Sequence, residues 1–336
     1  MKNTNKWIIA VVVLIVIIGG VYFVKNKSSN NLTNSETIKI GVIAPLSGIF
    51  AKAGEDIKAG LESINHDGVE YVFEDEKCEN VPTLSAFKKL TEVDKVNVIL
   101  GPACGSPQEV ITPLLKDKKV ITIVPSAASI KLYEESGSNL YNIQYALEDE
   151  SKYIADEMYK SGYKKVVIFS YRNAFSQTHH DSFIKDFKGA VVDDIIFLKD
   201  DIDVATEISK LKGLDFDSIF VTDGAFYFGQ GIAKLKRFGI TQPVYSMYVT
   251  EFPGVRELAE GVIYSFPKHT DNEKGITFEL ARQMGEFIVP IIKKCSGDYS
   301  CIKKSVDNSG EFDNRGIKIR DMIMKKIENG KPVEVK

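Results

Sequence analysis

The residues with the greatest chemical potential in this sequence are its four cysteines and four histidines. Cys104 lies in GPACGSPQEV (101–110), a Gly- and Pro-containing turn directly after the apolar run VNVIL. In α/β proteins, the turn after a strand's carboxyl end is a usual position for ligand-binding groups. A cysteine in such a turn can act as a nucleophile, bind a metal or form a disulfide.

These three roles make different demands on the rest of the sequence. A nucleophilic cysteine needs a histidine base, and His66, His179, His180 and His269 show no recognisable triad spacing. A zinc site favours C-x₂₋₄-C pairs, which the sequence lacks. The adjacent pair His179 and His180 would not face one metal from a helix. An even number of cysteines suits a disulfide framework in an exported protein.

The N-terminus carries the clearest local signal. The stretch WIIAVVVLIVIIGGVYFV (7–24) is 18 residues long and has no charge, with two lysines on each side. This length is just sufficient for a helix that crosses a bilayer. Its end is aromatic and lacks the small-x-small site of a cleaved signal peptide. We therefore predict an uncleaved transmembrane anchor at 7–24, a cytoplasmic tail at 1–6 and a flexible linker at 25–37.

Composition and charge narrow the classes of partner. The 336 residues are 44% apolar and 26% charged, which is ordinary for a globular chain with room for two domains. The net charge is −3, and without the four lysines and Glu36 of the first 37 residues it is −6. Because nucleic-acid affinity comes mainly from cationic groups that neutralise phosphates, we predict no nucleic-acid partner.

From Ile38 onward, short apolar runs alternate with amphipathic stretches of helix length. Runs such as VITIV are apolar on both faces, as strands buried in parallel sheets are. This alternation predicts doubly wound sheets with right-handed crossovers. No phosphate-binding glycine motif follows a strand, so we predict no nucleotide cofactor. The lack of closely spaced cysteine pairs predicts no metal. The predicted strands are 38–44, 69–75, 96–100, 120–124, 164–170, 191–197, 217–222, 243–247 and 261–266.

Several stretches, taken in order, follow the pattern of one protein family. IKIGVIAPLSGIFAKAGEDIKAGLESIN offers a strand, a P-x-S-G turn and a helix, and FEDEKCENVPTLSAFKKL offers an acidic turn with a cysteine. VNVILGPACGSPQEVITPLLKDKKVITIVPSAAS continues with a strand, a loop and a further strand, and KKCSGDYSCIKK and GEFDNRG come near the end. Together they resemble the periplasmic leucine/isoleucine/valine-binding proteins, the solute-binding proteins of branched-chain amino acid ABC transporters, over roughly 38–330.

This resemblance implies the type I periplasmic-binding-protein fold, an α/β fold of two Rossmann-like lobes with parallel sheets joined by a three-crossover hinge. The first lobe would contain 38–147 and about 269–306, and the second 148–268 and about 307–336. The implied function is an extracytoplasmic, membrane-anchored solute-binding protein, not an enzyme, which delivers a small amino-acid-like solute to ABC permease subunits. A membrane-anchored sensory or regulatory receptor of the same fold is the alternative, followed by a hydrolase using Cys104 and a relative that binds nothing.

The resemblance also implies the pairing of the cysteines. Family members carry a disulfide between the acidic turn after the second strand and the loop after the third, positions that match Cys78 and Cys104. Cys295 and Cys301 would form a second disulfide that closes a small polar loop.

The family's ligand contacts can be carried over residue by residue. Hydroxyl and N–H groups after strands three and four hold the ligand's α-carboxylate, and an acidic group such as Asp223 or Glu251 would hold its ammonium. Gly105 and Ala128 stand where serine and threonine are typical, and Phe175 stands where tyrosine is typical. Ser126 and Ser129 could equally be N-caps of the following helix. The predicted ligand-binding residues are Ser47, Gly105, Ser106, Ser126, Ala127, Ala128, Phe175, Asp223, Tyr248 and Glu251.

Overall fold

The structure is a computed structural model that describes residues 37–48, 50–198, 204–228, 230–252, 254–268 and 273–335. The predicted transmembrane anchor at 7–24, the tail before it and nearly all of the linker after it lie outside the described residues. Within the described ranges, no helix has both the length and the apolar composition needed to cross a membrane.

The first sheet contains five parallel strands in the chain order β1 (Ile38–Ala44), β2 (Val69–Asp75), β3 (Val98–Leu100), β4 (Ile121–Val124) and β5 (Leu140–Asn142). In the sheet they lie as β2-β1-β3-β4-β5. Every residue of β3 and β4 is buried, as expected for parallel strands covered on both faces. The helices of this region are α1 (Ala51–Glu62), α2 (Asn80–Lys88), α3 (Gly105–Leu115) and α4 (Ile130–Glu135), and a π-helical turn, Lys89–Val93, continues α2.

The second sheet has seven strands in the chain order β6 (Lys165–Tyr171), β7 (Ala190–Phe197), β8 (Ser218–Val221), β9 (Val244–Ser246), β10 (Ile263–Pro267), β11 (Met322–Glu328) and β12 (Lys331–Glu334). Their order is β12-β11-β10-β9-β8-β6-β7, with β11 antiparallel to both of its neighbours, β10 and β12, and the other neighbouring pairs parallel. The helices between its strands are α5 (Leu147–Lys160), α6 (Ala174–Asp186), α7 (Ala205–Lys210), α8 (Ala225–Phe228) and α9 (Gly231–Arg237). Two 3₁₀ turns, Tyr248–Glu251 and Arg256–Leu258, follow β9.

Two further helices return from the second sheet to the first. Helix α10 (Ile276–Lys294) packs along α1, where a Cβ atom on Gly60 would lie only 2.4 Å from the carbonyl oxygen of Phe278. Glycine is required at this crossing because the two backbones approach so closely. Helix α11 (Tyr299–Asp307) reaches the same region, since the Tyr299 hydroxyl donates to Asn139 Oδ1 at 2.8 Å.

The chain therefore crosses three times between two lobes, each built on one sheet. The crossovers follow β5, β10 and α11. The first and third run side by side, because Asn142 exchanges backbone hydrogen bonds with Gly316 (2.9 Å) and Lys318 (2.8 Å). Arg315 ties the third crossover to the start of α5 through a bidentate pair with Asp149, at 2.7 and 3.2 Å. The predicted two-lobe α/β architecture with parallel sheets is confirmed.

Candidate functional site

A cavity of about 230 Å³ lies between the lobes, beyond the carboxyl ends of β3, β4, β6 and β8. This is where α/β sheets of this kind usually bind ligands. Its walls come from both lobes, so that a molecule inside would contact both at once. The first lobe contributes Gly105, Glu109, Ala127, Ala128, Ser129 and Leu132, and the second contributes Leu147, Asn173, Ala174, Phe175, Thr178 and Asp223.

The loop between β3 and α3 forms one part of the first-lobe wall. A disulfide joins Cys104 in this loop to Cys78 after β2, with their Cα atoms 5.4 Å apart. The carboxyl group of Glu76 lies wholly buried beneath the loop, and its Oε1 accepts hydrogen bonds from the backbone N–H groups of Ala103 (2.9 Å) and Cys104 (3.2 Å). Burial raises the pKa of Glu76 to about 8.

All four cysteines are paired, since Cys295 and Cys301 form the second disulfide with Cα atoms 5.5 Å apart. The sulfur atoms of Cys78 and Cys104 lie within 4.8 Å of a carboxylate oxygen of Glu76, but they are committed to each other. Cys104 thus fixes the loop covalently and is neither a free nucleophile nor a metal ligand in this structure.

The loop between β4 and α4 forms the other part of the first-lobe wall. The Ser126 hydroxyl accepts a hydrogen bond from Gln108 Nε2 at 2.7 Å. The Ser129 hydroxyl donates to Glu148 Oε1 at 2.6 Å, and the N–H of Ile130 donates to both carboxylate oxygens of Glu148, at 3.0 and 3.1 Å. Ser129 occupies the N-cap position without a side-chain capping bond. The first turn of α4 is therefore capped by a carboxylate from α5.

The second-lobe wall is organised by Asn173, the N-cap of α6. Its Oδ1 accepts from the N–H of Ser176 at 2.8 Å, and its Nδ2 donates to Asp223 Oδ2 at 2.8 Å. Asparagine is among the best N-cap residues because it satisfies an otherwise unpaired N–H of the first turn. This arrangement places Phe175, the second residue of α6, and Asp223, after β8, on the same wall of the cavity.

A buried carboxylate lies behind this wall. Glu150 Oε1 accepts hydrogen bonds from the Tyr145 hydroxyl (2.9 Å), the backbone N–H of Tyr248 (3.1 Å) and the Ser265 hydroxyl. These donors belong to the first crossover, to the 3₁₀ turn after β9 and to β10, so one carboxylate joins three segments. Burial raises the pKa of Glu150 to about 7.

His179 connects this carboxylate to the cavity. Its Nε2 lies 3.6 Å from Glu150 Oε2, and its Nδ1 lies 2.7 Å from the Ser151 hydroxyl. The ring of Phe175 packs edge-on against the imidazole, with a centroid separation of 4.8 Å. Burial lowers the pKa of His179 to about 3, because the charged imidazolium would be separated from water.

Comparison with known proteins identifies the family. The sequence model described as periplasmic binding protein matches residues 37–278, most of the chain. The chain belongs to the periplasmic binding protein family. The resemblance to leucine/isoleucine/valine-binding proteins is confirmed by their presence among the relatives of this chain.

Three similar proteins show how far this likeness extends. A leucine-, isoleucine-, valine-, threonine- and alanine-binding protein from Pseudomonas aeruginosa is 30% identical over 105 residues, which are 28% of this chain and 28% of that protein. A leucine-binding protein, LivK, from Thermotoga maritima MSB8 has a TM-score of 0.77 at 18% identity, covering 89% of this chain and 98% of that one. An ABC-transporter solute-binding protein from R. palustris in complex with benzoate has a TM-score of 0.74 at 19% identity, covering 89% and 95%. The two structures show a shared fold alone.

In this periplasmic binding protein, five of the ten predicted ligand-binding residues line the cavity. Gly105, Ala127 and Ala128 lie on the first-lobe wall, and Phe175 and Asp223 lie on the second. Their positions follow from the fold, because each lies just beyond the carboxyl end of a parallel strand.

Four of the other predicted residues, Ser47, Ser126, Tyr248 and Glu251, are not part of the lining that the structure describes. Ser106 follows Gly105 in α3, and Ser126 is held by Gln108 behind the wall. Ser47 is exposed, and its hydroxyl donates to Asp75 Oδ2 at 2.5 Å.

Tyr248 and Glu251 lie in the 3₁₀ turn after β9. The ring of Tyr248 is buried and packs edge-on against Tyr145, with centroids 6.0 Å apart. Glu251 Oε1 accepts from Lys325 Nζ at 2.9 Å and from the Tyr264 hydroxyl at 2.7 Å. These contacts direct the Glu251 carboxylate to β10 and β11, so Asp223 is the predicted acidic ligand that reaches the cavity.

Several lining residues were not predicted from the sequence, although two had a readable signal. Glu109 lies four residues after Gly105, and residues at this spacing share one face of a helix. Asn173 directly precedes a helical stretch and is a typical N-cap. Leu132, Leu147 and Thr178 carry no signal that separates a cavity residue from a core residue.

Proposed function

We propose that this chain is an extracytoplasmic solute-binding protein of an ABC importer, which captures a small amino-acid-like solute between its lobes. The observation that carries this proposal is a cavity whose described lining contains six residues from each lobe. Because a solute there contacts both walls, it stabilises the closed arrangement of the lobes relative to an open one.

Closure of the lobes around the solute would increase the affinity for it and would also mark the protein as loaded for the permease. Removal of water from the cavity strengthens each polar contact, since electrostatic interactions grow as the local dielectric constant falls. Permease subunits that recognise the closed arrangement would then accept only the loaded protein. This cycle requires no chemistry on the solute, and we propose a binding protein and not an enzyme.

The lining residues suggest a division of roles. We assign contact with the solute's ammonium group to Asp223 and contact with its apolar body to Leu132, Leu147 and Phe175, whose side chains line the cavity. Gly105 contributes backbone at the amino end of α3. Tyr248 supports the cavity from behind, through its backbone bond to Glu150.

The membrane is part of the proposal. The uncharged stretch 7–24 would anchor the protein at the extracytoplasmic face, and the polar linker would allow the lobes to reach the permease. Two proteins that share this fold, the leucine-binding protein LivK and the solute-binding protein in complex with benzoate, bind an amino acid and an aromatic acid respectively, which supports a small organic solute here.

Thermal unfolding of the oxidised full chain against amino acids, amines, amides and small carboxylates tests solute capture. A solute at one hundred times its dissociation constant adds about 2.7 kcal/mol, which raises the midpoint by several degrees. Phe175→Ala should reduce that shift, whereas Phe238→Ala should leave it unchanged, because Phe238 is half-buried against the core and outside the described lining. No shift with any compound would contradict the proposed function.

A further inference from the structure

The charges around the cavity are unevenly distributed. Two carboxylates line it, Glu109 from the first lobe and Asp223 from the second, and no lysine or arginine belongs to the lining that the structure describes. Arg172, next to the second-lobe wall in sequence, is exposed and is not a lining residue. A solute that enters between these two carboxylates meets a negative potential.

Helix amino ends would normally offset such a potential, because their unpaired N–H groups carry partial positive charge and favour anions. Three helices, α3, α4 and α6, begin at this cavity. At the start of α4, Glu148 already accepts from the N–H of Ile130 and from the Ser129 hydroxyl. An anionic solute would have to compete with this internal carboxylate.

Acidic side chains also lie beside the starts of the other two helices. Before α3, Glu76 accepts from the N–H groups of Ala103 and Cys104. At α6, the N-cap residue Asn173 donates its amide hydrogen to Asp223. A carboxyl group of the protein itself therefore lies at each of the three helix starts, and at α4 it accepts directly from an N–H group of the helix.

Among the lining residues whose side chains the structure describes, hydroxyl groups that could donate to a solute carboxylate are scarce. Gly105 and Ala128 have none, and the hydroxyls of Ser129 and Thr178 already donate to Glu148 Oε1 and to the carbonyl oxygen of Ala174. The Ser126 hydroxyl accepts from Gln108 Nε2 and lies outside the described lining. The rest of the lining is largely apolar, with Leu132 and Phe175 among its members. An aromatic face also attracts an organic cation.

We infer that the cavity selects a solute of net positive charge, a small primary ammonium compound with an apolar body and without a free carboxylate. The inference rests on the proposed solute-binding function and names the chemical class bound. Asp223 and Glu109 are its specificity-determining residues, acting from opposite walls.

Isothermal titration calorimetry with four compounds that share one branched hydrocarbon chain tests the inference. Leucinamide and 3-methylbutylamine are cations, leucine is a zwitterion and isovalerate is an anion. We expect both cations to bind at least about tenfold more tightly than leucine, equivalent to about 1.4 kcal/mol, and isovalerate not to bind. Leucine binding as tightly as leucinamide, or more tightly, would overturn the inference and leave the proposed function standing. Binding of none of the four would contradict both.

Single substitutions test which residues determine the preference for a cationic solute. Asp223→Asn should weaken leucinamide binding by about tenfold, and Glu109→Gln by about threefold because its side chain is exposed. Glu328→Gln, an exposed acid at the end of β11, is the matched control and should change nothing.

A variant that is expected to gain a contact complements these losses, because misfolding could not produce the expected gain in leucine binding. Gly105→Ser restores a hydroxyl, and a Cβ atom there meets no other atom within 4 Å, so the side chain has room. It should narrow the preference for leucinamide over leucine. An unchanged preference in Gly105→Ser, Asp223→Asn and Glu109→Gln alike would refute the assignment of selectivity to these walls.

Discussion

The two walls of the cavity are held in place by different means. On the first-lobe side, a disulfide at Cys104 and local hydrogen bonds to Glu76 fix one loop to the turn beside it. On the second-lobe side, Glu150 gathers three segments that are far apart in sequence, and His179 lies between this carboxylate and Phe175. A covalent bond restricts one loop, whereas the buried carboxylate couples the crossover, the 3₁₀ turn and β10. Loss of Glu150 should therefore disturb more of the molecule.

The largest effect is expected for Glu150→Ala. The substitution leaves the Tyr145 hydroxyl, the Tyr248 N–H and the Ser265 hydroxyl without their buried acceptor, at a cost of about 4 kcal/mol in the free energy of unfolding. Urea unfolding measures it. Glu150→Gln retains an acceptor oxygen and should lose much less. Equal losses in both variants would show that the charge, and not the three hydrogen bonds, stabilises this region.

Removal of each disulfide in turn should give the next largest loss of stability. The comparison contrasts the disulfide of the first-lobe wall with the one between Cys295 and Cys301. Cys78→Ser with Cys104→Ser opens a link across a sequence separation of 26, and Cys295→Ser with Cys301→Ser one of 6. Chain entropy predicts losses of about 3.5 and about 2 kcal/mol.

The effect of a bound solute on thermal stability should also differ between the two double variants. Only the first pair of substitutions should also reduce the ligand-induced thermal shift, because only that disulfide holds the loop that leads to Gly105. Equal reductions in both double variants would contradict a local role for Cys104.

The pH dependence of stability tests the second wall. Burial raises the pKa of Glu150 from 4.5 to about 7, so the folded state binds this proton more tightly and stability falls as pH rises through that interval. Glu150→Gln cannot lose a proton there, and its stability relative to the natural chain should rise by about 3 kcal/mol between pH 4.5 and 7.5. The matched control is Glu62→Gln, an exposed acid at the end of α1. A difference between Glu150→Gln and the natural chain that stays constant with pH would contradict the raised pKa.

The sequence predicted the parallel strands well because each is a short apolar run between amphipathic stretches. All nine predicted strands are present, with ends shifted by at most two residues. Strand β5 has only three residues, and β11 and β12 carry lysines among their apolar residues, so these three were missed. Periodicity does not distinguish such segments from loops.

The candidate site was predicted in part for the same physical reason. Loops at the carboxyl ends of parallel strands must meet, and Gly105, Ala128 and Asp223, predicted from such loops, line one cavity. The orientation of Glu251 depends on its pairing with Lys325, a contact between positions 74 residues apart. No local pattern contains that information. The capping of α4 by the Glu148 carboxylate also depends on a non-local contact, so the sequence did not predict it.

The packing of α10 and α11 against the first sheet has a consequence for the order in which the lobes are made. A ribosome completes the five strands of the first sheet early, but α10, which covers α1, is synthesised only after β10 of the second sheet. A nascent chain released at the end of β10 would leave the face of α1 that carries Gly60 bare. The first lobe therefore begins before the second during translation but finishes only after the strands β6 to β10 have emerged.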